Sequence, residues 1–434
     1  YYAGETKEIR LYLHGDDDVV RVSGGSAKGM IVRVSGGDGK DTVENQSINE
    51  LWAYDEGDRT SLIGSTAPRW IRRHAKRPKP WGRTGPLSPD WGHRWLPKFA
   101  FPYSTDLGPL VYMGAVRIGY GFLQNPHRSL LSFGGGYAPL EQKFVADVEY
   151  TVRNLLPGVH GSLRAEYTGI EILHFYGLGN DSKETLSPDF YELGRELLRV
   201  APGVTLAAGR NVEIDVGLQF EVSHTDDDPD EPNLVAITNP YGSGTFLQAG
   251  ARVAAWFDTR DRTIAPTRGL RVGMWGDAYP GVLDLDGGAI ARAGGELAAY
   301  GSLTDAGNQT LAIRVAGEKV FGTFPYYESA FLGGPDRLRG FTEERFAGDA
   351  SVFASGELRL FVGHLNMLLP WHVGVFGFGD VGRVYLDGQS PGGWHTSSGG
   401  GIWLAPLYRQ FTVSATIARS AEGTFLYVGA GFGI

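Results

Sequence analysis

From residue 97 to its end the chain is written in a two-residue rhythm, and no other feature narrows its fold so far. Apolar and polar residues alternate over 97–104, 109–122, 128–138, 141–153, 159–173, 191–204, 211–224, 243–258, 267–280, 289–303 and 308–321. After a long gap the alternation resumes over 351–363, 370–385, 395–405, 408–419 and 422–434. Successive side chains on a strand point to opposite faces, so each segment has one polar and one apolar side. In Phe144-Val145-Ala146-Asp147-Val148-Glu149-Tyr150, Asp147 and Glu149 share a face opposite Ala146, Val148 and Tyr150. The run from Glu213 to Glu221 alternates acids and Gln with Ile, Val, Leu and Phe. A closed sheet pairs every backbone group, as hydrocarbon requires, and lets the polar faces share a lumen. The expected fold is all-β, a transmembrane antiparallel β-barrel of about 16 strands. A soluble β-sandwich is the alternative, but so many long strands with polar residues facing one interior suit it poorly.

Composition enters where it excludes. The 434 residues hold no run of eighteen apolar positions, so no transmembrane helix is expected, whereas barrel strands need only about ten alternating residues. There is no cysteine, hence no disulfide and no thiolate metal site. A net charge of -9 argues against a nucleic-acid partner. Histidines such as His93, His127, His160, His174, His224, His364, His372 and His395 are scattered, with no pair at ligand spacing in sequence. No nucleophile elbow, HExxH or phosphate loop occurs, so no enzymatic activity is expected. Tyr1 is not an initiator Met, and the chain is expected to derive from a longer precursor whose export signal lay upstream.

Residues 1–63 form a β-rich appendage, expected to be solenoid-like and periplasmic. Three units recur at a period near twenty: Ile9-Arg10-Leu11-Tyr12-Leu13, Met30-Ile31-Val32-Arg33-Val34 and Leu51-Trp52-Ala53-Tyr54, each followed by an acidic, mostly Gly-containing turn. Asp38 and Asp41, within Gly36 to Val43, match a calcium-binding nonapeptide pattern once. Ordinary hairpin-turn chemistry explains the same residues, and calcium is only a weak candidate. Residues 64–96 read as a basic, Trp- and Pro-rich linker, with Trp70, Trp81, Trp91 and Trp95 set for a membrane interface. The barrel is assigned to 97–434.

The gap in the alternation, 322–350, contains Phe331-Leu332-Gly333-Gly334-Pro335-Asp336-Arg337-Leu338-Arg339-Gly340-Phe341. Glycines allow positive φ and close backbone approach. The Arg339 guanidinium is a planar fork suited to buried carboxylates. Leu338-Arg339-Gly340-Phe341 resembles the (V/L)RG(F/Y) signature of the BamA/TamA superfamily, the outer-membrane assembly and translocation barrels also called bacterial surface antigens. Asp258-Thr259-Arg260-Asp261 with Pro266-Thr267-Arg268-Gly269, and Phe175-Tyr176-Gly177-Leu178-Gly179-Asn180, are similar to two further signatures of that family. The resemblance runs from about Trp95 to Ile434. The appendage departs from it, because it lacks the two amphipathic helices of a POTRA domain.

The resemblance implies sixteen strands, with the signature loop after the eleventh and folded back into the lumen. It implies that Arg339 meets Glu357, from Ser355-Gly356-Glu357-Leu358-Arg359-Leu360, and Asp380, from Phe378-Gly379-Asp380-Val381-Gly382. Asp258, Arg260, Asp261 and Arg268 read as an ion-pair set that stabilises a hairpin. Gly429-Ala430-Gly431-Phe432-Gly433-Ile434 resembles the terminal assembly signal of outer-membrane barrels. The implied function is insertion or translocation of protein through a weak seam between first and last strands, involving Pro97, Pro102, Gly429, Phe432 and Ile434. The expected partners are outer-membrane lipid and client proteins or a larger complex. A plugged or passive pore, or a membrane anchor for an upstream domain or partner chain, is the alternative.

Overall fold

Alternating apolar residues at the start of the chain stack directly on one another. Glu8–His14, Ile31–Gly37, Glu50–Tyr54 and Arg69–Trp70 form one parallel sheet, and Val19–Val22, Thr42–Asn45 and Ser61–Gly64 form a second. Leu11 lies beside Val34 and Val34 beside Ala53, while Val20, Val43 and Leu62 make the matching file in the second sheet. The files bury Val32, Val34, Val43, Leu51 and Ala53 as the core of this unit. This is a β-solenoid, in which each rung covers the apolar face of the next.

The structure is a computed structural model describing residues 5–434 except 25–29, 38, 48–49, 55–59, 65–68, 71–88, 102, 105–107, 123, 157, 210, 226–232, 282–287, 305–306, 367–369 and 407–411. The chain divides into Tyr1–Arg94 with Ile118–Arg128, and Trp95–Arg117 with Ser129–Ile434. Two boundaries differ from the expected ones. Arg69–Trp70 adds a strand to the solenoid inside the presumed linker, and the first barrel strand starts at His93 rather than Pro97. Most of the remaining linker, with Trp81, lies outside the described residues.

The larger unit is built on sixteen strands in one antiparallel sheet, each paired with its sequence neighbour. They are β1 (His93–Ala100), β2 (Val111–Gly121), β3 (Gln124–Ala138), β4 (Lys143–Leu156), β5 (Val159–His174), β6 (Glu192–Ala208), β7 (Val212–Thr225) and β8 (Thr245–Asp258). There follow β9 (Gly269–Tyr279), β10 (Ile290–Ser302), β11 (Gln309–Phe321), β12 (Ala350–Asn366), β13 (Pro370–Tyr385), β14 (His395–Pro406), β15 (Val413–Arg419) and β16 (Thr424–Ala430). The fold is a transmembrane β-barrel. On β11, Leu311, Ile313 and Val315 are 43–46% exposed, while Thr310, Ala312, Ala316 and Val320 are buried. Leu218, Phe220, Leu247, Leu297, Leu426 and Val428 on other strands are likewise exposed. In water such a belt would be a large liability, and in a bilayer it is the required outer face.

The sheet ends at β1 and β16, and no ladder joins these two strands among the described residues. Pro97 sits within β1, as an edge strand permits. Pro102 lies outside the described residues. The long loop leaves after β11, as expected, and carries a short ladder of Ala330–Leu332 with Phe346–Gly348.

Candidate functional site

The loop is seated by apolar packing before any charge is considered. Leu332, Leu338, Phe341 and Phe346 from the loop cluster with Ala316 of β11, Phe353 of β12 and Val384 of β13. These four loop side chains are at most 2% exposed. Gly333 makes the turn that allows this, at φ 126°, with its α-carbon so close to the returning chain that a Cβ would lie 2.2 Å from the Thr342 carbonyl oxygen.

The packing delivers Arg339 to the inner wall. Its Nε and Nη2 donate to the two Asp380 oxygens at 2.8 and 2.7 Å, and Nη1 donates to Glu357 at 2.9 Å. Nη2 also reaches Ser355 Oγ at 2.9 Å, and that hydroxyl donates to Asp380 at 2.5 Å. The guanidinium lies 3.5 Å from the centroid of the Phe378 ring. Arg359 completes the group, donating to the other Glu357 oxygen at 2.7 Å. Two cations and two carboxylates thus balance in a space where Arg339, Glu357 and Asp380 are 4, 1 and 3% exposed. Alternation put Ser355, Glu357 and Arg359 on one face; the loop's fold supplied the cation between the strands.

Beyond β16 the chain leaves the sheet. Phe432 and Ile434, expected on the seam strand, lie past its end, while Gly429 is within it. Gly431 adopts φ 84°, which turns the backbone inward. Phe432 then packs on Phe376 and Trp403 with Arg359 3.9 Å over its ring, and Ile434 packs by Ala298, Tyr300 and Ala312. Arg359 Nη2 donates to the Ile434 carbonyl at 2.6 Å. A Cβ at Gly433 would stand 2.8 Å from Arg339 Nη1, so the tail runs against the charge cluster.

The 175–180 segment meets the same loop. The Gly179 N–H donates to the Ala347 carbonyl at 2.8 Å, and Arg345 stands 4.6 Å over the Tyr176 ring. Asn180 donates to the carbonyls of Pro391 and Gly393 and accepts from the Val384 N–H, each at 2.8 Å. Arg345 is only 3% exposed and donates to Ser182 and to Glu422 of the β15–β16 hairpin. Glu344 accepts the His174 N–H at 3.0 Å. Burial pushes its carboxyl up to about 7, against the pull of that N–H, with Glu343 and Glu171 adding to the rise.

The expected ion-pair hairpin combines an ion pair with turn-capping bonds. Arg260 forks onto Asp258 at 2.7–3.1 Å. Asp261 instead caps the turn, accepting from Thr267 N–H and hydroxyl at 2.9 and 2.7 Å and from the Arg268 N–H at 3.1 Å. The Arg268 guanidinium reaches the Thr304 carbonyl at 3.3 Å. Asp41 in the solenoid likewise accepts a backbone N–H, that of Asp18, at 3.1 Å, and Asp38 lies outside the described residues. His364 and His372, eight residues apart, are cross-strand partners with ring centroids 4.6 Å apart, and Phe361 meets the first edge-on and the second at a tilt. Only strand register brings them together.

The chain matches the Omp85 superfamily domain over residues 132–418. In structure it is similar to BamA from Haemophilus ducreyi lacking POTRA domains 1-3, with TM-score 0.56 and 13% identity, covering 78% of this chain and 70% of that one. CdiB from Escherichia coli gives TM-score 0.49 at 13% identity, over 86% of this chain and 65% of that one. CdiB from Acinetobacter baumannii gives 0.45 at 10% identity, over 78% and 59%. No curated protein sequence matches the chain.

Proposed function

The chain belongs to the Omp85 superfamily, and from that premise we propose that it is an outer-membrane barrel that inserts or translocates proteins by parting β1 from β16. The observation that carries this reading is the seam itself. Fifteen neighbouring strand pairs hold the sheet, and none joins its two ends among the described residues. Opening such an edge costs no ladder, and the free backbone can template an incoming strand. The β16 ladder is seven pairs long, from Val413↔Ala430 to Arg419↔Thr424, so the edge is also weakly held from behind.

The solenoid is assigned to the periplasm, and client proteins or a larger complex are the further partners of the chain. Outer-membrane lipid is the partner of the exposed apolar belt. The barrel performs no chemistry of its own: Arg339, Arg359, Glu357 and Asp380 neutralise one another and hold the loop. The second reading is a plugged barrel or an anchor. It is favoured by the loop and tail packed on the inner wall and by the Asn180 and Arg345 bonds that tie loops together at one end.

A disulfide between β1 and β16 separates the two. The chain has no native cysteine, so the engineered pair reports alone. In proteoliposomes challenged with an unfolded outer-membrane protein, insertion should stop on oxidation and return on reduction. Equal insertion by the locked barrel excludes lateral opening as the mechanism, and no insertion by either the locked or the reduced barrel leaves the plugged or anchoring role.

A further inference from the structure

The last hairpin of the barrel holds the signature loop around Gly340, in addition to the Glu422 bond to Arg345. Gly340 follows Arg339 and sits at φ 86°, with Cβ space closed at 3.3 Å by Arg419, Ser397 and Ser420. Its N–H donates to the Tyr427 hydroxyl at 3.0 Å. That hydroxyl donates onward to the Phe341 carbonyl at 3.3 Å. The Gly340 carbonyl accepts the hydroxyl of Ser420. Tyr427 lies on β16 between the outward Leu426 and Val428, which are 71 and 72% exposed, so it points inward from the seam strand itself. Ser420 lies in the turn joining β15 to β16.

We propose that Tyr427 and Ser420 form a latch coupling the seam strand to the Arg339 loop, so that β16 cannot swing outward without releasing Gly340. Tyr427 is a positioning residue here: it touches no client and acts through the loop. The latch rests on the seam reading of function, which makes β16 the strand that moves. Its logic is reciprocal. If the closed seam favours the seated loop, the seated loop favours the closed seam by the same free energy. Arg339 anchors the loop to β12 and β13 and Tyr427 anchors it to β16, so one rigid segment spans fixed wall and mobile edge.

The test is hydrogen exchange on the full chain in lipid nanodiscs, read at residues 333–345 and 413–430. Tyr427→Phe keeps the ring and removes the hydroxyl. Exchange should quicken about five-fold in both segments, the effect of losing one hydrogen bond of ordinary net worth. Ser420→Ala should act in the same direction. Arg339→Ala, which frees the loop from the other wall, should also quicken 413–430. Heat-modifiable migration should be unchanged in Tyr427→Phe. The latch is wrong if Tyr427→Phe changes neither segment or only 413–430, or if Arg339→Ala frees the loop and leaves the hairpin protected. If exchange behaves as expected while a β1–β16 disulfide leaves insertion intact, the coupling of loop to hairpin stands and the reading of lateral opening falls.

Discussion

Replacing Arg339 by Ala should unseat the loop while the barrel remains assembled. The side chain makes two bonds to Asp380, one to Glu357 and one to Ser355. The two carboxylates do not suffer equally. Glu357 keeps Arg359 at 2.7 Å, so it remains paired. Asp380 keeps the Ser355 hydroxyl and the residue-339 N–H at 3.2 Å, but loses its cation. Breaking one partner from a buried pair costs about 3–5 kcal/mol, less where lumen water enters the vacated space. The loop also keeps Leu338 and Phe341 in their apolar seat, which opposes release. The expected result is a loop that opens roughly a hundred-fold or more often, which a protease or a maleimide probe on Leu338→Cys would read. Arg339→Lys should recover part of the loss, since it restores charge without the planar fork. The double variant Arg339→Ala, Asp380→Asn should be more stable than Arg339→Ala alone, because the uncompensated anion is gone. A loop as protected in Arg339→Ala as in the parent would refute the electrostatic account and leave apolar packing as the whole anchor.

Other consequences are equally measurable. Glu344 binds its proton more tightly folded than unfolded, so its contribution is complete below about 4.5 and is lost as pH rises through about 7; the full span is worth about 3 kcal/mol. Loop labelling should therefore be slower at pH 5.5 than at pH 8, and Glu344→Gln should flatten that dependence; an unchanged pH profile in the variant would assign it to another group. Gly333→Ala should misplace the loop, because positive φ alone costs about 1–3 kcal/mol and the added carbon meets the Thr342 carbonyl at 2.2 Å. Normal maleimide protection of Leu338→Cys in that background would show that the loop tolerates a different path. Calcium should leave the melting temperature of the solenoid unchanged, and a large rise reversed by chelator would overturn the turn-capping role of Asp41.

Local pattern determined a good deal. The period-2 alternation was enough for the strands, because a side chain's face depends only on its parity within a strand; β13 was predicted at 370–385 and spans Pro370–Tyr385. The stacked rungs were legible for the same reason, their apolar residues repeating at a fixed interval. The Arg339 cluster was legible through resemblance and alternation together, since Glu357 and Asp380 sit at inward positions of adjoining strands. Chain ends and long-range partners were not. Phe432 continues the alternating pattern, yet positive φ at Gly431 diverts it into the lumen, where Arg359 and Trp403 provide a better site than an unpaired edge. The same limit hid the Tyr427 contact to Gly340, eighty-seven residues away, and the His364 to His372 pairing across a hairpin. Sequence carries facing and period, which are properties of a strand alone; which side chains finally meet depends on how the sheet curls and where the loop comes to rest, and only the tertiary structure decides that.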